Sequence, residues 1–572
     1  MTAPNVNTLW GRAIVDELAK AGVEAAVLSP GSRSTPLTVA FAQHEAVETF
    51  THLDERSAAF FALGRAKRTG RPTPLVCTSG TAVANYHPAV VEAGRARVPM
   101  VLLTADRPPE LTDSGANQTV DQQGIFGDAV RHDRTLPEPE VADRKLRALR
   151  TAVARAVATS EATYPGPVHL NVPFRKPLEP TVETDDVSEG WVDDHPLAVG
   201  GRDGPFVRTT QGRSTLAAAD RAAVVDAIDA LLGLATATGF PVLADPLSGI
   251  RFGSHVETAT VLGGYDSWAP ALKDDLPTPD VVLRFGASPT SKPTRKALAA
   301  TTLEDPDAAP RQFLVDPAGG WREAEFTGTD TLVADPTRLA SALAGRVEGG
   351  DDTAYADLLA DVERDYWNLV ADEDRFFEGA VLREVAALAP DPATLFVSNS
   401  MPVRDLDRFA RPRAADLTVL GNRGASGIDG ITSTALGAGS ATDDPLVLVT
   451  GDLAYFHDTN GLLAADRFDL DATVVLVNND GGGIFQLLPI EEHETFEGYF
   501  RTPHGLDFEP TGDLHGVGFS RASTREGFRE AFTASVERDG TQVIEVGFDP
   551  AESHAVREAL QERVEGELDV TL

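Results

Sequence analysis

Short apolar runs rich in β-branched residues alternate with helix-like segments along almost all of the 572-residue chain. Most of these runs end in a polar or glycine-rich turn. Strand–turn–helix units are typical of parallel sheets covered by helices, because two parallel strands need a long crossover connection. The sequence therefore predicts an α/β fold with ligand sites at the carboxyl ends of strands. The candidate strands are EAAVLSP, ETFTHLD, PLVCTSG, PMVLLTAD, GPVHLNVP, PVLAD, DVVLRFG, QFLVD, TLFVSNS, LTVLGNRGASG, PLVLVTGD, TVVLVNND and QVIEVGF.

Two soft stretches divide this pattern into three parts. Residues 179–212 carry many Asp, Gly and Pro residues, which is typical of a linker, and the segment EGGDD at 348–352 forms a second boundary. We expect three doubly wound parallel-sheet domains, over residues 1–185, 200–348 and 370–572.

The composition is strongly acidic, with 87 Asp and Glu residues against 50 Lys and Arg residues and a formal charge of −37. Phosphate binding needs a basic face, so nucleic acid is not an expected partner. Only seven of the basic residues are lysines, and the acidic residues form no long block. This pattern favours a halophilic, salt-adapted protein, because salt screens the self-repulsion. An ordinarily acidic enzyme is the alternative.

The chain shows neither a run of about 18 apolar residues nor a basic and apolar N-terminal leader. We therefore expect a soluble, cytoplasmic protein without a membrane span. The single cysteine, Cys77, lies in the apolar run LVCTSG, and we expect it to be a core residue.

Two strand ends in the last third of the chain carry groups that suit a divalent cation. Gly451 and Asp452 follow the run LVLVT, and Asn479 and Gly481 follow the run TVVLV. Neighbouring parallel strands would bring together the Asp452 carboxylate, the Asn479 amide oxygen and the Gly481 backbone carbonyl. These are hard oxygen ligands of the kind that Mg²⁺ prefers. Two turns that merely end core strands are the alternative interpretation.

The spacing of these groups resembles the thiamine diphosphate (ThDP) motif, in which Gly-Asp-Gly is followed by Asn-Asn. Leu453 stands where the general motif has its second glycine. Two diphosphate oxygens and water would complete the metal site, and the glycines would let the backbone approach the phosphates.

Glu55 is a candidate for the second element that a ThDP enzyme needs. It follows the strand candidate ETFTHLD and precedes the apolar helix start SAAFFALG. A carboxylate that is hydrogen-bonded to the ring nitrogen of the cofactor's pyrimidine activates the cofactor amine. An apolar setting strengthens this hydrogen bond. An acid that complements the helix dipole is the other interpretation. Because the two halves of a ThDP site usually come from different subunits, we expect at least a dimer.

Further motifs extend over nearly the whole chain, and they are strongest in its first and last thirds. They are SPGSRSTPLT, HLDERSAAFFALG, CTSGTAVANYHPAVVEA, LTADRPPEL, GANQTVDQ, SNSMPVRDLDRF, GNRGASGIDG, GDLAYFHD, NNDGGGIFQLLP and TPHGLDF. Together they resemble the family of 2-succinyl-5-enolpyruvyl-6-hydroxy-3-cyclohexene-1-carboxylate synthases of menaquinone biosynthesis. Leu453 fits this resemblance, since members of the family look similar in carrying Gly-Asp-Leu.

The resemblance implies a transferase of aldehyde or ketone residues that uses ThDP with Mg²⁺ or Mn²⁺. In this family ThDP attacks the keto carbon of 2-oxoglutarate, CO₂ leaves, and the four-carbon carbanion equivalent adds 1,4 to isochorismate. The resemblance also implies a homodimer or homotetramer with sites between subunits. The N-terminal domain would bind the cofactor's pyrimidine and the C-terminal domain its diphosphate and metal.

Arginines are the expected ligands for these substrates. Both substrates are dicarboxylates, and the planar fork of arginine pairs with a carboxylate. Arg33, Arg107, Arg404 and Arg423 lie in turns after predicted strands, and the resemblance implies that they bind substrate carboxylates. Taken singly, each is alternatively a surface or structural arginine.

The resemblance assigns roles to polar residues as well. Ser32 and Gln118, with Arg33 and Glu55, match catalytic positions that contact substrate, intermediate or cofactor. Ser400 matches a position on the isochorismate side. Hydrogen bonding within turns is the alternative role for Ser32 and Gln118.

Lys292, in the loop ASPTSKP of the middle part, matches a basic residue that helps to bind a substrate carboxylate. The family often has arginine at the next position, where this chain has Pro293. Arg295 or Lys296 would have to replace that arginine.

Four apolar residues complete the expected site. Ile428 is the candidate for the bulky residue that holds ThDP in its bent conformation. Ile484, Phe485 and Leu488 would form an apolar wall that protects the carbanion from water. Ordinary core packing is the alternative.

Two other functions remain open at this point. Another ThDP enzyme, such as a 2-oxo acid decarboxylase or an acetohydroxyacid synthase, would share Glu55 and the metal motif but would not need the arginine set. A nucleotide-binding regulatory protein would be built on GNRGASGIDG, which lacks the complete G-x-G-x-x-G fingerprint. Such a protein would not need Glu55.

Overall fold

The computed structural model describes residues 3–181, 187–211, 240–257, 259–304, 309–336, 338–339 and 354–570. Within these residues two six-stranded sheets and one three-stranded sheet carry the fold, and a two-stranded sheet is added to them. Every strand pair in the described ranges is parallel. The predicted α/β class is therefore confirmed.

The N-terminal sheet consists of β1 Ala25–Ser29, β2 Glu48–Thr51, β3 Thr73–Cys77, β4 Met100–Asp106, β5 His132–Thr135 and β6 Pro167–Pro173. Its strand order is β2-β1-β3-β4-β6-β5. The strands β1, β3 and β6 are buried along their whole length. Parallel strands covered by helices on both faces have nearly continuous apolar runs, which explains why the sequence revealed them.

The middle of the chain holds the smaller sheets. Their strands are β7 Val242–Leu243, β8 Val261–Leu262, β9 Val281–Phe285, β10 Arg311–Val315 and β11 Asp330–Leu332. β7 pairs with β8, and the other three strands have the order β11-β10-β9.

The C-terminal sheet repeats the topology of the N-terminal sheet. Its strands are β12 Ala393–Val397, β13 Leu417–Leu420, β14 Leu446–Gly451, β15 Ala472–Asn478, β16 Gly518–Ala522 and β17 Gln542–Gly547. The order β13-β12-β14-β15-β17-β16 is the order of the first sheet, strand for strand. In each sheet the direction of winding changes between the first and third strands, and ligands bind at such a switch point in open α/β sheets.

Helices connect the strands and cover the sheets. They are Val6–Lys20, Thr35–Ala42, Glu55–Thr69, Thr81–Asn85, His87–Ala96, Asp143–Ser160, Glu189–Asp194, Pro196–Gly200, Tyr265–Ala271, Lys292–Glu304, Ala354–Ala371, Glu378–Leu388, Met401–Phe409, Ile431–Gly439, Asp452–His457, Leu463–Arg467, Pro510–His515, Arg525–Val536 and Pro550–Glu567. Several begin at side chains that accept hydrogen bonds from the first turn, such as Asn5, Asp54 and Thr524.

The candidate strands all appear in the structure, but four short or polar strands, β5, β8, β11 and β16, were not predicted. β5 (HDRT) and β16 (GFSRA) occupy the same outer position in their respective sheets, and both are partly exposed. An edge strand covers less apolar area, so its sequence lacks the apolar run used to find the others.

The N-terminal and C-terminal sheets share one hydrophobic core. Phe60 and Phe61, on helix Glu55–Thr69, lie in the same buried cluster as Ile431 and Leu436 on helix Ile431–Gly439. Cys77 is buried in this cluster, as expected. No helix among the described residues is long and apolar enough to cross a membrane.

These two helices cross with their backbones in contact. A Cβ atom at Gly64 would lie 1.9 Å from the carbonyl oxygen of Thr434, and a Cβ atom at Gly437 would lie 2.0 Å from that of Phe61. Only glycine at both positions permits this approach. The crossing therefore fixes how the two sheets sit relative to each other.

We predict that Gly64→Ala separates the two helices and lowers the free energy of unfolding by more than about 2 kcal/mol, because the added methyl group overpacks the crossing. Urea denaturation followed by circular dichroism measures the loss. Gly566→Ala is the control, since its Cβ would meet nothing within 4 Å; it should leave stability unchanged or raise it by up to about 1 kcal/mol. Equal effects of both changes would contradict the close crossing.

Candidate active site

A cavity of about 250 Å³ opens at the switch point of the C-terminal sheet. It lies where the chain leaves β12, β14 and β15, and the start of helix Glu378–Leu388 also reaches it. The residues that line it are Glu378, Leu382, Ser398, Asn399, Ser400, Met401, Pro402, Asp405, Ile428, Gly451, Asp452, Leu453, Ala454, Val477, Asn479, Gly481, Gly482, Gly483, Ile484 and Phe485. The structure thus brings together the predicted metal ligands, Ser400 and most of the predicted apolar residues.

Asp452 is the central acidic group of this cavity and is buried. Its Oδ1 accepts a hydrogen bond from its neighbour Leu453 N at 2.7 Å, and its Oδ2 accepts one from Gly481 N at 2.9 Å. Burial raises the pKa of the Asp452 carboxyl, while the Gly481 N–H and His504 act in the opposite direction. A bound cation would oppose the same penalty, because it favours the charged carboxylate.

Asn479 presents an oxygen without a partner. Its Nδ2 donates to Glu378 Oε1 at 2.9 Å, whereas its buried Oδ1 has no hydrogen-bond partner among the described residues. Leaving a buried acceptor unsatisfied costs about 1–3 kcal/mol, and such groups call for a ligand or an ordered solvent molecule. The amide oxygen beside the Asp452 carboxylate fits a hard divalent cation.

Gly481 lies in the tight turn that follows Asn479. Its φ is +140°, and a Cβ atom there would lie 2.2 Å from the carbonyl oxygen of Arg501. A side chain is therefore excluded on steric and conformational grounds. In this turn the Gly481 N–H donates a hydrogen bond to Asp452, and this bond connects the end of β14 with the end of β15.

His504 is a site residue that the sequence reasoning missed. Its Nε2 lies 3.1 Å from Asp452 Oδ2, and its backbone N–H donates to Asp480 Oδ1 at 2.9 Å. It lies in the motif TPHGLDF, yet spacing alone offered no reason to pair it with a residue 52 positions earlier. By its position it orients the Asp452 carboxylate, as outer partners commonly do at metal sites.

A buried ionic network behind Asn479 was also not predicted. Glu378 Oε2 accepts from Arg557 Nη2 at 2.6 Å, and Arg557 also donates to both carboxylate oxygens of Asp405. Burial raises the pKa of Glu378, and Arg557 opposes that shift. The network fixes the Asn479 amide so that its oxygen, not its nitrogen, remains available.

The predicted apolar residues divide into two groups. Ile428, Leu453, Ile484 and Phe485 line the cavity, whereas Leu488 does not belong to its lining and is 47% exposed. The segment Gly483–Leu487 forms a short 3₁₀ helix beside the cavity, not a buried α-helix.

Arg404 and Arg423 flank the turn that carries Ser400. Arg404 Nη1 donates to the Ser400 carbonyl oxygen at 2.6 Å, and Arg423 Nη1 donates to Asn399 Oδ1 at 3.0 Å. Ser400 has a φ of +69°, so the turn is held in a left-handed conformation that serine rarely adopts. Burial lowers the pKa of both guanidinium groups. At Arg404 the charge of Arg423 acts in the same direction, whereas at Arg423 the carboxylates of Asp245 and Glu92 oppose the shift.

A second cluster lies at the switch point of the N-terminal sheet. Ser32 and Arg33 follow β1, and Arg107 follows β4. The pKa of Arg33 is lowered by burial and, next, by the charge of Arg107, while Asp106 raises it. Arg33 donates to the Phe174 carbonyl oxygen at 2.6 Å, and the Nε atoms of Arg33 and Arg107 have no partner among the described residues. Two arginines placed so close together are suited to an anionic ligand.

Gln118 reaches the same edge of the N-terminal sheet. Its Nε2 donates to the Ser79 carbonyl oxygen at 2.9 Å, and Ser79 Oγ donates back to the Gln118 carbonyl oxygen at 3.0 Å. Its φ is +55°, which is uncommon outside glycine. Reciprocal hydrogen bonds hold this strained residue in place, as is frequent at functional sites.

Glu55 occupies the first turn of helix Glu55–Thr69, but Asp54 performs the capping. Asp54 accepts hydrogen bonds from Arg56 N and Ser57 N. No hydrogen bond or ion pair involves the Glu55 carboxylate within the described part of the chain. Its electrostatic neighbours are the buried Cys77 and Tyr86. Glu55 is thus half-buried beside apolar groups, and it does not line the cavity.

Lys292 begins helix Lys292–Glu304 of the middle part and is exposed. Arg295, one turn later, is half-buried with its Nε unpaired within the described residues, and its charge lowers the pKa of Arg423. Lys296 is exposed. Of the two candidates to replace the arginine absent at position 293, Arg295 is the one near the arginine cluster.

The family comparisons agree with this arrangement. The family model described as thiamine pyrophosphate enzyme, N-terminal TPP binding domain, matches residues 10–125. The model for the C-terminal TPP binding domain matches residues 407–546. Thiamine pyrophosphate is another name for ThDP. Fold and site therefore define a ThDP-dependent enzyme.

Relatives that match over the full length identify one family among the ThDP-dependent enzymes. A protein of Natronomonas pharaonis is 61% identical over 99% of this chain and 100% of its own length, and one of Haloarcula marismortui is 61% identical over 99% of both. One of Roseiflexus sp. is 42% identical over 97% of this chain and 98% of its own. All three are named 2-succinyl-5-enolpyruvyl-6-hydroxy-3-cyclohexene-1-carboxylate synthase. The chain belongs to this family, and its relatives include halophilic ones, in keeping with its acidity.

We predict that Mg²⁺ and ThDP raise the melting temperature of the wild-type protein and that Asn479→Leu removes this rise. That stabilisation is about 2.7 kcal/mol at a ligand concentration a hundredfold above Kd. The reason is that leucine keeps the branched shape of asparagine but lacks the unpaired oxygen, as well as the Nδ2 group that donates to Glu378. Differential scanning calorimetry with and without both ligands measures the effect.

Asn478→Ala is the matched control, because Asn478 is bonded to Glu545 and to Asp480 N and does not line the cavity. It should lower the melting temperature but keep the ligand-induced rise. A rise of wild-type size in Asn479→Leu would exclude Asn479 from the ligand set.

Proposed function

We propose that the protein decarboxylates 2-oxoglutarate and adds the resulting succinyl-semialdehyde carbanion equivalent 1,4 to isochorismate. The products are CO₂ and 2-succinyl-5-enolpyruvyl-6-hydroxy-3-cyclohexene-1-carboxylate, an intermediate of menaquinone biosynthesis. Family membership supports this reaction, and the arginines of the two switch points are the structural observation that carries it.

These arginines lack the partners that an acidic protein offers in excess. Within the described residues, Arg33, Arg107, Arg404 and Arg423 form no ion pair with a carboxylate, although acidic residues outnumber basic ones 87 to 50. Burial disfavours the charged forms of Arg33, Arg404 and Arg423, since it lowers the pKa of each. Arg107 and Arg423 lie in loops after strands, as expected, whereas Arg33 lies in a 3₁₀ helix and Arg404 in helix Met401–Phe409. Positive groups kept without an ion pair at strand ends are suited to anionic ligands, and two pairs of them suit dicarboxylates.

ThDP and its metal fit the cavity of the C-terminal domain. Asp452, the unpaired oxygen of Asn479 and the backbone at Gly481 would hold Mg²⁺ or Mn²⁺, and Ile428 and Leu453 would contact the cofactor. When bound, ThDP supplies the acidic carbon that adds to the keto group of 2-oxoglutarate and takes up the electron pair left by CO₂. The apolar side chains of Ile484 and Phe485 keep water from the reacting atoms.

Glu55 supplies the proton chemistry in this proposal. Its carboxyl group would hold the pyrimidine ring of bound ThDP by a hydrogen bond. Its half-buried position beside Cys77 and Tyr86, free of hydrogen bonds and salt bridges within the described ranges, leaves the carboxylate available to the cofactor. Ser32, Arg33 and Gln118 would contact the substrate on the same side.

The active site forms between two subunits in this proposal. None of the residues that line the described cavity belongs to residues 3–181, which hold Glu55 and the Arg33–Arg107 pair. A second copy of the chain would supply that edge, giving a homodimer or a homotetramer. Residues 1–185 would be the pyrimidine domain, residues 200–348 the central domain and residues 370–572 the diphosphate domain of a cytoplasmic enzyme.

The structure offers no support for the regulatory alternative built on GNRGASGIDG. The N–H groups of Gly424, Ala425 and Ser426 donate to the Glu92 carboxylate, so they are not free to bind a phosphate. A simple decarboxylase would not need a second anion site, and the product assay below distinguishes it from the proposed enzyme.

A product assay tests the function. Purified protein with ThDP, Mg²⁺, 2-oxoglutarate and isochorismate in molar KCl should release CO₂ and form the succinylated cyclohexene adduct, which mass spectrometry identifies. Glu55→Gln should abolish turnover and keep ThDP binding. Release of CO₂ with succinic semialdehyde alone would instead indicate a decarboxylase. Unchanged turnover in Glu55→Gln would contradict the proposal that Glu55 activates the cofactor.

We also predict that two inactive variants complement each other. Glu55→Gln removes the carboxylate that the N-terminal half contributes to the site, and Asp452→Asn removes the carboxylate that the C-terminal half contributes. If the edges come from different subunits, mixed dimers assembled after co-expression contain one intact site and one doubly defective site. They should regain about half the wild-type activity per mixed dimer. Inactive mixed dimers, isolated with two affinity tags, would show that each site uses a single chain.

A further inference from the structure

The glycine-rich loop 421–430 belongs to the C-terminal half, but a carboxylate of the N-terminal half holds it. Glu92, on helix His87–Ala96, is 3% exposed. Its Oε1 accepts a hydrogen bond from Gly424 N at 2.9 Å, and its Oε2 accepts from Ala425 N at 2.6 Å and from Ser426 N at 3.3 Å. Hydrogen bonds to a buried charge are about twice as strong as neutral ones.

Lys67 completes this contact from the neighbouring helix. Its Nζ donates to the Gly421 carbonyl oxygen at 2.7 Å and lies 3.3 Å from Glu92 Oε1. Burial lowers the pKa of Lys67, and the adjacent Glu92 opposes that shift. Within this ion pair, Lys67 binds the beginning of loop 421–430 and Glu92 binds its middle.

The loop is held from its other side by the candidate site. Asn399, which lines the cavity, donates through Nδ2 to the carbonyl oxygens of Asn422 and Gly427. Its Oδ1 accepts from Arg423. The loop thus carries Arg423 and the cavity residue Ile428 between two sets of hydrogen bonds, one in each half of the chain.

We propose that Glu92, together with Lys67, is a positioning residue that fixes loop 421–430 and thereby places Arg423 and Ile428 for substrate and cofactor. The roles of Arg423 and Ile428 rest on the function proposed above, whereas the contact itself does not. One consequence concerns helix Glu55–Thr69, which has Glu55 in its first turn and Lys67 in its last. Each N-terminal half would then serve two sites: the partner's site through Glu55, and its own chain's site through Lys67 and Glu92.

Amide hydrogen exchange tests the contact without turnover. In Glu92→Gln the side chain keeps its shape but loses its charge and one acceptor oxygen. We expect the amides of Gly424 and Ala425 to exchange at least about tenfold faster than in the wild-type protein, with no cofactor or substrate present. Wild-type exchange rates in this variant would overturn the proposal.

The matched control is Asp444→Asn. Asp444 accepts from Arg68 Nη2 at 2.6 Å, so the change also breaks an ion pair between helix Glu55–Thr69 and the C-terminal half. It does not touch the loop and should leave the exchange of Gly424 unchanged. If both variants speed up exchange equally, Glu92 merely helps to hold the two halves together and the proposal fails.

Kinetics then separate positioning from general stability. Arg423→Gln should raise the KM for one of the two dicarboxylates, and Glu92→Gln should raise the same KM about fivefold or more while kcat changes less. The double variant should show no larger KM than Arg423→Gln alone, because Glu92 acts through Arg423. Effects that multiply, or a KM that Glu92→Gln leaves unchanged, would overturn the positioning role.

Lys67→Met is the second variant if Glu92→Gln does not fold. It removes the bond to Gly421 and leaves the three N–H bonds to Glu92, so it should change exchange and KM in the same direction but less. An unchanged loop in Lys67→Met would count against the pair. An inactive wild-type protein would contradict only the proposed function, because the exchange experiment still decides whether Glu92 holds the loop.

Discussion

The backbone contact between helices Glu55–Thr69 and Ile431–Gly439 is the constraint on which both halves of the candidate site depend. Gly64 and Gly437 remove the side chains that would keep the helices apart, and the two sheets then share one core. The first helix begins at Glu55 and ends beside the loop that precedes the second. If the first helix slid along the second, Glu55 and loop 421–430 would both change position. Close packing at the two glycines prevents such a movement.

Much of the fold and the core of the site could be predicted because the information is local. Central parallel strands are buried on both faces, so their apolar runs mark them and the turns after them mark the ligand edge. Asp452, Asn479 and Gly481 follow such runs directly, and the register of β14 on β15 brings their turns together. The same logic places Ser32, Arg33 and Arg107 at one edge of the other sheet.

The rest could not be predicted because it depends on contacts between distant segments. Glu378 supports Asn479 across 101 positions, and Glu92 reaches Gly424 across 332. A buried acid on an amphipathic helix has no sequence signal that distinguishes it from an exposed one. His504 lies in a recognisable motif, yet only the fold shows that its ring meets Asp452. The polar edge strands β5 and β16 were missed for a related reason, since an edge needs little apolar area.

The repeated topology gives the proposed assembly a physical reason. Both sheets present candidate site residues at the same switch point, and the described cavity at the C-terminal sheet has no lining residue from the N-terminal half, which carries Glu55. Two copies related by a twofold axis can satisfy both edges at once, because a twofold interface pairs each surface with its counterpart. The apolar side chains of Ile428, Leu488 and Tyr499, exposed by 39%, 47% and 80%, lie in or near the segments that form the cavity. In the proposed dimer the second copy would cover exposed apolar side chains near the cavity and thereby exclude water from the reacting atoms.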